Sequence, residues 1–194
     1  MVPMSSTRSH DFTPEQRETL LALAEESIEK GLFGERAGID PVAYPGVLAE
    51  NGASFVTLNK NQQLRGCIGS LEAHQPLVTD VVSNAYSAAF RDPRFSPLVR
   101  EELPALAIHI SVLTPAEPMH FDSEASLLEQ LQPHVDGLIL SAGPRRGTFL
   151  PSVWESLPDA REFLRQLKRK AGLPTDYWGA DIRIERYRTV SISR

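Results

Sequence analysis

The stretch Ala53-Ser54-Phe55-Val56-Thr57-Leu58-Asn59-Lys60-Asn61-Gln62-Gln63-Leu64-Arg65-Gly66-Cys67-Ile68-Gly69 decides how the fold is read. Residues 53–59 alternate, with Phe55 and Thr57 on one side and Val56 and Leu58 on the other, which is the period of a β-strand. Lys60-Asn61-Gln62 is a polar turn, and residues 64–69 read as the returning strand of a hairpin. Strict alternation then sets Arg65, Cys67 and Gly69 on one face and Leu64, Gly66 and Ile68 on the other. Cys67 is the only cysteine of the chain.

Working outward, Thr13-Pro14-Glu15-Gln16 is a capping box with proline at the first helical position. It opens a helix predicted over 14–30, with Leu20, Leu21, Leu23, Ala24 and Ile28 at helical spacing and Gly31 as its stop. Residues 34–45 are turn-rich. A second helix starts near Pro76, shows Leu77, Val81, Ala85 and Ala88 or Ala89 on one face, and ends before Asp92-Pro93. Residues 105–113 form a strong strand with Leu106, Ile108, Ile110 and Val112 on one side and His109 and Ser111 on the other. A short helix at 126–131, a buried strand at 137–141 and an extended segment at 147–150 follow. Asp159 caps a third long helix carrying Phe163, Leu164, Leu167 and Ala171, which stops at Gly172 with Pro174 beyond. Ile182, Ile184, Tyr187 and Ser191 alternate in closing strands.

Helices and strands are intermixed without a βαβ alternation, so the fold class is α+β with mostly antiparallel strands. No linker separates independent domains. The sequence predicts one domain over 13–194, divided at most into subdomains, behind a flexible segment at 1–12.

The 194 residues are 41% hydrophobic and 23% charged, ordinary for a globular protein with a real core. One cysteine excludes an internal disulfide, and neither a secretory leader nor a membrane-spanning run is evident. The expected setting is the reducing cytoplasm. A net charge of −5 argues against general nucleic-acid binding. The charge is uneven: from Pro144 onward there are 11 Lys/Arg against 6 Asp/Glu, and before it 9 against 19. Arg165, Lys168, Arg169 and Lys170 read as the solvated end of a helix complementing its dipole. Together with Arg145 and Arg146 they read alternatively as an anion-binding face, which keeps RNA binding through the basic C-terminal part as a third functional hypothesis.

Cys67 is either a small packed hydrophobe or a reactive thiol, because a cation on its face favours a thiolate and orients an anionic ligand. Catalysis would also need a base, for which His74 and His109 are the nearest histidines in sequence. His120 with Asp122, and His134 with Asp136, have a spacing that suits metal ligands, but no CxxC or HExxH accompanies them, so no metal site is assigned. No glycine-rich phosphate loop occurs, which argues against nucleotide binding by a familiar loop, and the cofactor is left unassigned. Asp92-Pro93-Arg94-Phe95-Ser96-Pro97-Leu98 is a proline-stiffened loop held by Asp92 and Arg94, or else one wall of a cleft. Thr148, before Pro151, stands among backbone amides able to bind an anion.

These segments carry a resemblance. Phe55-Val56-Thr57-Leu58, Leu64-Arg65-Gly66-Cys67-Ile68-Gly69, Asp92 to Leu98 and Thr148-Phe149-Leu150-Pro151 occur in the order seen in the AMMECR domain family, and the helix ending Lys170-Ala171-Gly172-Leu173-Pro174 is similar. The resemblance covers nearly the whole chain from Thr13. Ser96 stands where the family usually has proline, and Ser152 where it often has glutamine or glutamate. What the resemblance implies is an α+β fold of a larger and a smaller subdomain, with the hexapeptide near a cleft between them. It implies no known reaction. Bacterial members are associated with Memo-like and radical SAM proteins, which are therefore the expected partners.

Two principal hypotheses result. In the first the protein is an enzyme for a small anionic substrate, with Cys67 as the reactive thiol and Arg65, Gly66, Gly69, Arg94 and Thr148 as substrate-binding residues. In the second it is a non-catalytic adaptor, in which Gly66 and Gly69 permit tight packing, Cys67 fills a small space and Arg65 bridges subdomains.

Overall fold

A computed structural model describes residues 12–194; the expected flexible segment lies, but for Phe12, outside the described residues. In chain order the elements are α1 (Pro14–Gly31), β1 (Asn51–Gly52), β2 (Ser54–Lys60), β3 (Gln63–Gly69), β4 (Gln75–Pro76), α2 (Leu77–Phe90) and β5 (Leu106–Leu113). They continue with β6 (Glu117–Pro118), α3 (Glu124–Gln130), β7 (Gly137–Ala142), β8 (Arg145–Phe149), α4 (Ala160–Lys170), β9 (Ile182–Tyr187) and β10 (Thr189–Ser193). Short 3-10 turns cover Pro41–Ala43, Gly46–Leu48, Arg100–Ala105 and Pro151–Glu155. The fold is α+β with antiparallel sheets.

Contacts divide the chain into two compact units, one formed by the residues up to Leu113 with Val190–Arg194, the other by Thr114–Thr189. The second unit is thus an insertion between two strands of the first. In the first, the strand order is β10-β5-β2-β3. Asn61 and Gln62 join β2 to β3 with φ of 51° and 64°. Such a left-handed pair gives a two-residue hairpin turn whose twist matches the strands. Val56, Leu58, Ile110, Val112 and Ile192 project from one face into a core shared with Leu20, Ala24 and Ile28 of α1 and with Val78, Val81 and Ala85 of α2. By alternation Thr57 and His109 lie on the opposite face.

Two local devices fix α2 on this sheet. A Cβ at Gly66 would stand 2.1 Å from the Ala88 carbonyl oxygen, so glycine is what lets the helix backbone reach the strand. Asp80, buried in the first turns of α2, accepts from the Ser54 N–H (2.8 Å) and hydroxyl (2.7 Å), the Ser70 hydroxyl (2.7 Å), Asn84 (2.9 Å) and Gln75 (3.2 Å). With this set of donors the carboxylate ties the start of β2 to the end of β3, and the cost of burying it is met by hydrogen bonds.

In the second unit the order is β6-β9-β7-β8. Its core gathers Leu138, Leu140, Ile182 and Ile184 with Leu127 of α3 and Phe163, Leu164 and Leu167 of α4. Trp154 stacks on Phe163 at 3.7 Å and donates its indole N–H to the Asp136 carbonyl at 2.7 Å.

The Gly66 contact gives a direct test. Gly66→Ala should lower unfolding free energy in urea by about 3 kcal/mol, whereas Gly38→Ala, where a Cβ meets open space, should change it little.

Candidate functional site

Among the described residues β3 is an edge strand, paired with β2 alone. Its free side is satisfied at Cys67 by two side chains. The Cys67 N–H donates to Asp92 Oδ2 at 2.9 Å, and Arg94 Nη2 donates to the Cys67 carbonyl at 3.2 Å. Asp92 and Arg94 are joined to each other through Nε–Oδ1 (2.9 Å) and Nη2–Oδ2 (2.7 Å). The pair supplies the acceptor and donor that a neighbouring strand would supply. Arg94, then the Cys67 and Arg94 backbone N–H groups, hold the Asp92 carboxyl well below its usual range against the opposing effect of burial.

Because Cys67 turns its N–H and C=O away from β2, its pairing with Thr57 is of the kind that brings side chains closest. The Thr57 hydroxyl donates to Cys67 Sγ at 3.3 Å. On its other side Thr57 pairs with His109 of β5. Thiol, hydroxyl and imidazole therefore stand in one cross-strand row, on the face away from α1 and α2. Cys67, Thr57 and His109 are each half-buried.

Arg65 departs from the strict alternation expected to set it beside Cys67 on one face. Leu58 pairs with Gly66 and Asn59 with Leu64, so Arg65 is the extra residue of a β-bulge, which re-aims a side chain. Its guanidinium makes a bidentate pair with Glu102, Nε–Oε1 at 2.9 Å and Nη2–Oε2 at 2.8 Å, and Nη2 also reaches the Ser96 carbonyl at 3.0 Å. Lys60 Nζ adds a third contact to Glu102 at 2.9 Å. Arg65, followed by Lys60 and the Val99 N–H, pulls the Glu102 pKa down to about 2. The pair lines an open hollow of about 630 Å³ together with Arg94, Phe95 and Pro97. Glu102 thus engages Nε and Nη2 of Arg65, while Nη1 is buried with no hydrogen-bond partner among the described residues, and the arginine bonded to Cys67 is Arg94.

The other expected residues are placed as follows. On the side where a side chain would project, Gly66 and Gly69 are filled, since Cβ positions there would meet the Ala88 carbonyl at 2.1 Å and the Phe55 ring at 2.2 Å. Thr148 belongs to the second unit, where its hydroxyl donates to the Leu138 carbonyl at 2.8 Å and contacts the Tyr187 hydroxyl at 3.3 Å. The helix end read as solvated contains Lys168, which is fully buried and paired with Glu124 at 2.7 Å. Arg145 donates to the Gly172 carbonyl at 2.6 Å, and Lys170 lies 5.1 Å from the centre of the Phe149 ring. Asp136 is buried with Arg186 and Arg188 at 3.8 and 3.9 Å, and among the described residues no His/Cys/Asp/Glu group suits a metal ion. Sequence reasoning missed Glu102 and Thr57, whose roles depend on a contact 37 residues away and on strand register.

A family profile described as AMMECR1 matches residues 21–192. The chain belongs to the AMMECR1 family. Relatives in this family include a protein of Methanothermobacter thermautotrophicus, 40% identical over 87% of this chain and 89% of its own, and protein MJ0810 of Methanocaldococcus jannaschii, 37% identical over 91% and 89%. The crystal structure of the uncharacterized protein PH0010 from Pyrococcus horikoshii superposes with a TM-score of 0.81 at 35% identity, covering 93% of this chain and 92% of that one. The AMMECR1 match thus spans both units. Among the described residues no helix is long and apolar enough to cross a membrane.

Glu102 yields a pH prediction. A carboxylate whose folded pKa is depressed from 4.5 to about 2 adds stability that is complete above the unfolded value and is lost as pH falls through the folded one. Glu102→Gln should therefore lower stability at pH 7 and flatten the acid limb between about pH 4.5 and 2 in urea titrations. Asp92, shifted in the same direction, should leave a residual slope.

Proposed function

We propose that this AMMECR1-family chain acts as an enzyme on a small anionic substrate through the Cys67 thiol. The observation that supports this most is the row in which the Thr57 hydroxyl bonds the sulfur at 3.3 Å and His109 pairs with Thr57 from the other side. In this reading Cys67 is the nucleophile, its thiolate stabilised by the hydrogen bond that the Thr57 hydroxyl donates to the sulfur, and His109, next in the row, is the base that takes up the thiol proton. Arg94, half exposed and bonded to the Cys67 carbonyl, carries the positive charge that draws the anion. Asp92 fixes both the strand and Arg94.

A second reading is favoured by one specific contact. With Arg65 held by Glu102, the hexapeptide also serves as a framework for an adaptor, and Leu64 and Val99, exposed beside that ion pair, would be its contact surface for Memo-like or radical SAM proteins.

Iodoacetamide alkylation separates the two. The enzyme reading expects Cys67 in the folded protein to react several-fold faster than N-acetylcysteine at pH 7. Thr57→Val and His109→Gln should each slow it while circular dichroism stays unchanged. Reaction no faster than the free thiol, and insensitive to both variants, would remove the enzyme reading and leave the adaptor.

A further inference from the structure

The second unit contains a hollow of about 900 Å³, within the range of small-molecule sites and lined by none of Cys67, Thr57 and His109. Its aromatic wall is Trp178 and Phe121, with ring centres 5.5 Å apart and planes inclined at 50°. The chain's other tryptophan, Trp154, is fully buried, whereas Trp178 keeps 36% of its surface exposed.

Trp178 is held in place from behind. Lys168, fully buried and paired with Glu124, has its Nζ 5.3 Å from the centre of the indole. The loop carrying Trp178 is closed by the Tyr177 hydroxyl donating to Asp181 Oδ1 at 2.6 Å. That closure runs over Gly179, where a Cβ would stand 2.5 Å from the Tyr177 hydroxyl oxygen and 2.7 Å from Asp181 Oδ1. Fixing the ring in advance removes an ordering cost from binding.

The rest of the lining offers hydrogen-bonding groups of both kinds. Asp122 and Glu185 are acceptors, and Arg183 is a donor. Arg183 Nη1 is itself anchored on the Ala180 and Ile182 carbonyls at 3.0 and 2.9 Å. This anchoring also disfavours a peptide added as a strand along β9. The Ile182 N–H already bonds the Gly179 carbonyl at 3.1 Å, its C=O is taken by Arg183, and the Ile184 carbonyl accepts from Met119 at 2.8 Å. The occupant that uses a fixed ring face together with donors and acceptors at its rim is a flat ring with polar edges.

The geometry points to a binding site for a planar heteroaromatic ring of the nucleobase kind, stacked on Trp178 with its edge toward Asp122, Arg183 and Glu185. Stacking on an aromatic platform is tolerant of ring identity, and the edge groups then select among rings.

Isothermal titration calorimetry of the full chain with adenosine, guanosine, cytidine and uridine tests this. Saturable binding of at least one is expected, weakened about tenfold or more in Trp178→Leu. Glu185→Gln should change the order of preference among the four while the thermal melting temperature stays within a degree or so of the parent. A single-stranded oligonucleotide that binds more tightly than any nucleoside would identify nucleic acid as the source of the ring, and nucleoside binding alone would identify a free small molecule. Absence of saturable heat with all five, or equal affinity in Trp178→Leu, would overturn the proposal.

Discussion

An exposed strand edge must have its N–H and C=O groups satisfied, and in this protein the arrangement around Cys67 depends on how β3 meets that demand. Asp92 and Arg94 close the edge at one residue, and that residue is Cys67. The same contact orients the backbone so that the sulfur faces Thr57, which in turn pairs with His109. The position of the thiol is therefore set by a loop that follows α2, and α2 is itself set by Gly66 and Asp80. Loop, helix and strand form one closed set of constraints within the first unit.

The two arginines of the site illustrate how context divides similar residues. Both make bidentate carboxylate pairs, the strong and directional kind. Arg65 does so with its side chain only 13% exposed, so the pair with Glu102 serves as a clasp between β3 and the turn at Arg100–Ala105. Arg94 does so at 54% exposure, over a nearly fully buried Asp92, and leaves charge at the surface next to the strand. Burial, rather than residue type, separates the enclosed arginine from the surface one.

Much of the architecture was legible in the sequence because its signals are local. The Thr13 capping box, the Asp159 cap, the hairpin and the apolar period of α2 all act within a few residues and appear where expected. The family resemblance, carried by the hexapeptide and three further segments, also held. What was not legible depends on long-range geometry. The bulge at Arg65 breaks an alternation that looks regular in the letters, and it exists only relative to β2. Glu102 has no local mark as the partner of Arg65. Lys168 reads as one more cation on a basic helix end, yet tertiary packing buries it beside Trp178, while Arg165, Arg169 and Lys170 of the same end are exposed as expected. That the glycines of the hexapeptide pack against a helix carbonyl and an aromatic ring also depends on elements distant in sequence.

Native-state hydrogen exchange at the Cys67 amide addresses the edge closure most directly. The account predicts strong protection at this outward-facing amide, comparable with the interior of β2, and loss of that protection in Asp92→Ala while core amides such as those of Val81 and Ile110 stay protected. Exchange of the Cys67 amide at the rate of an open edge in the parent protein would contradict it.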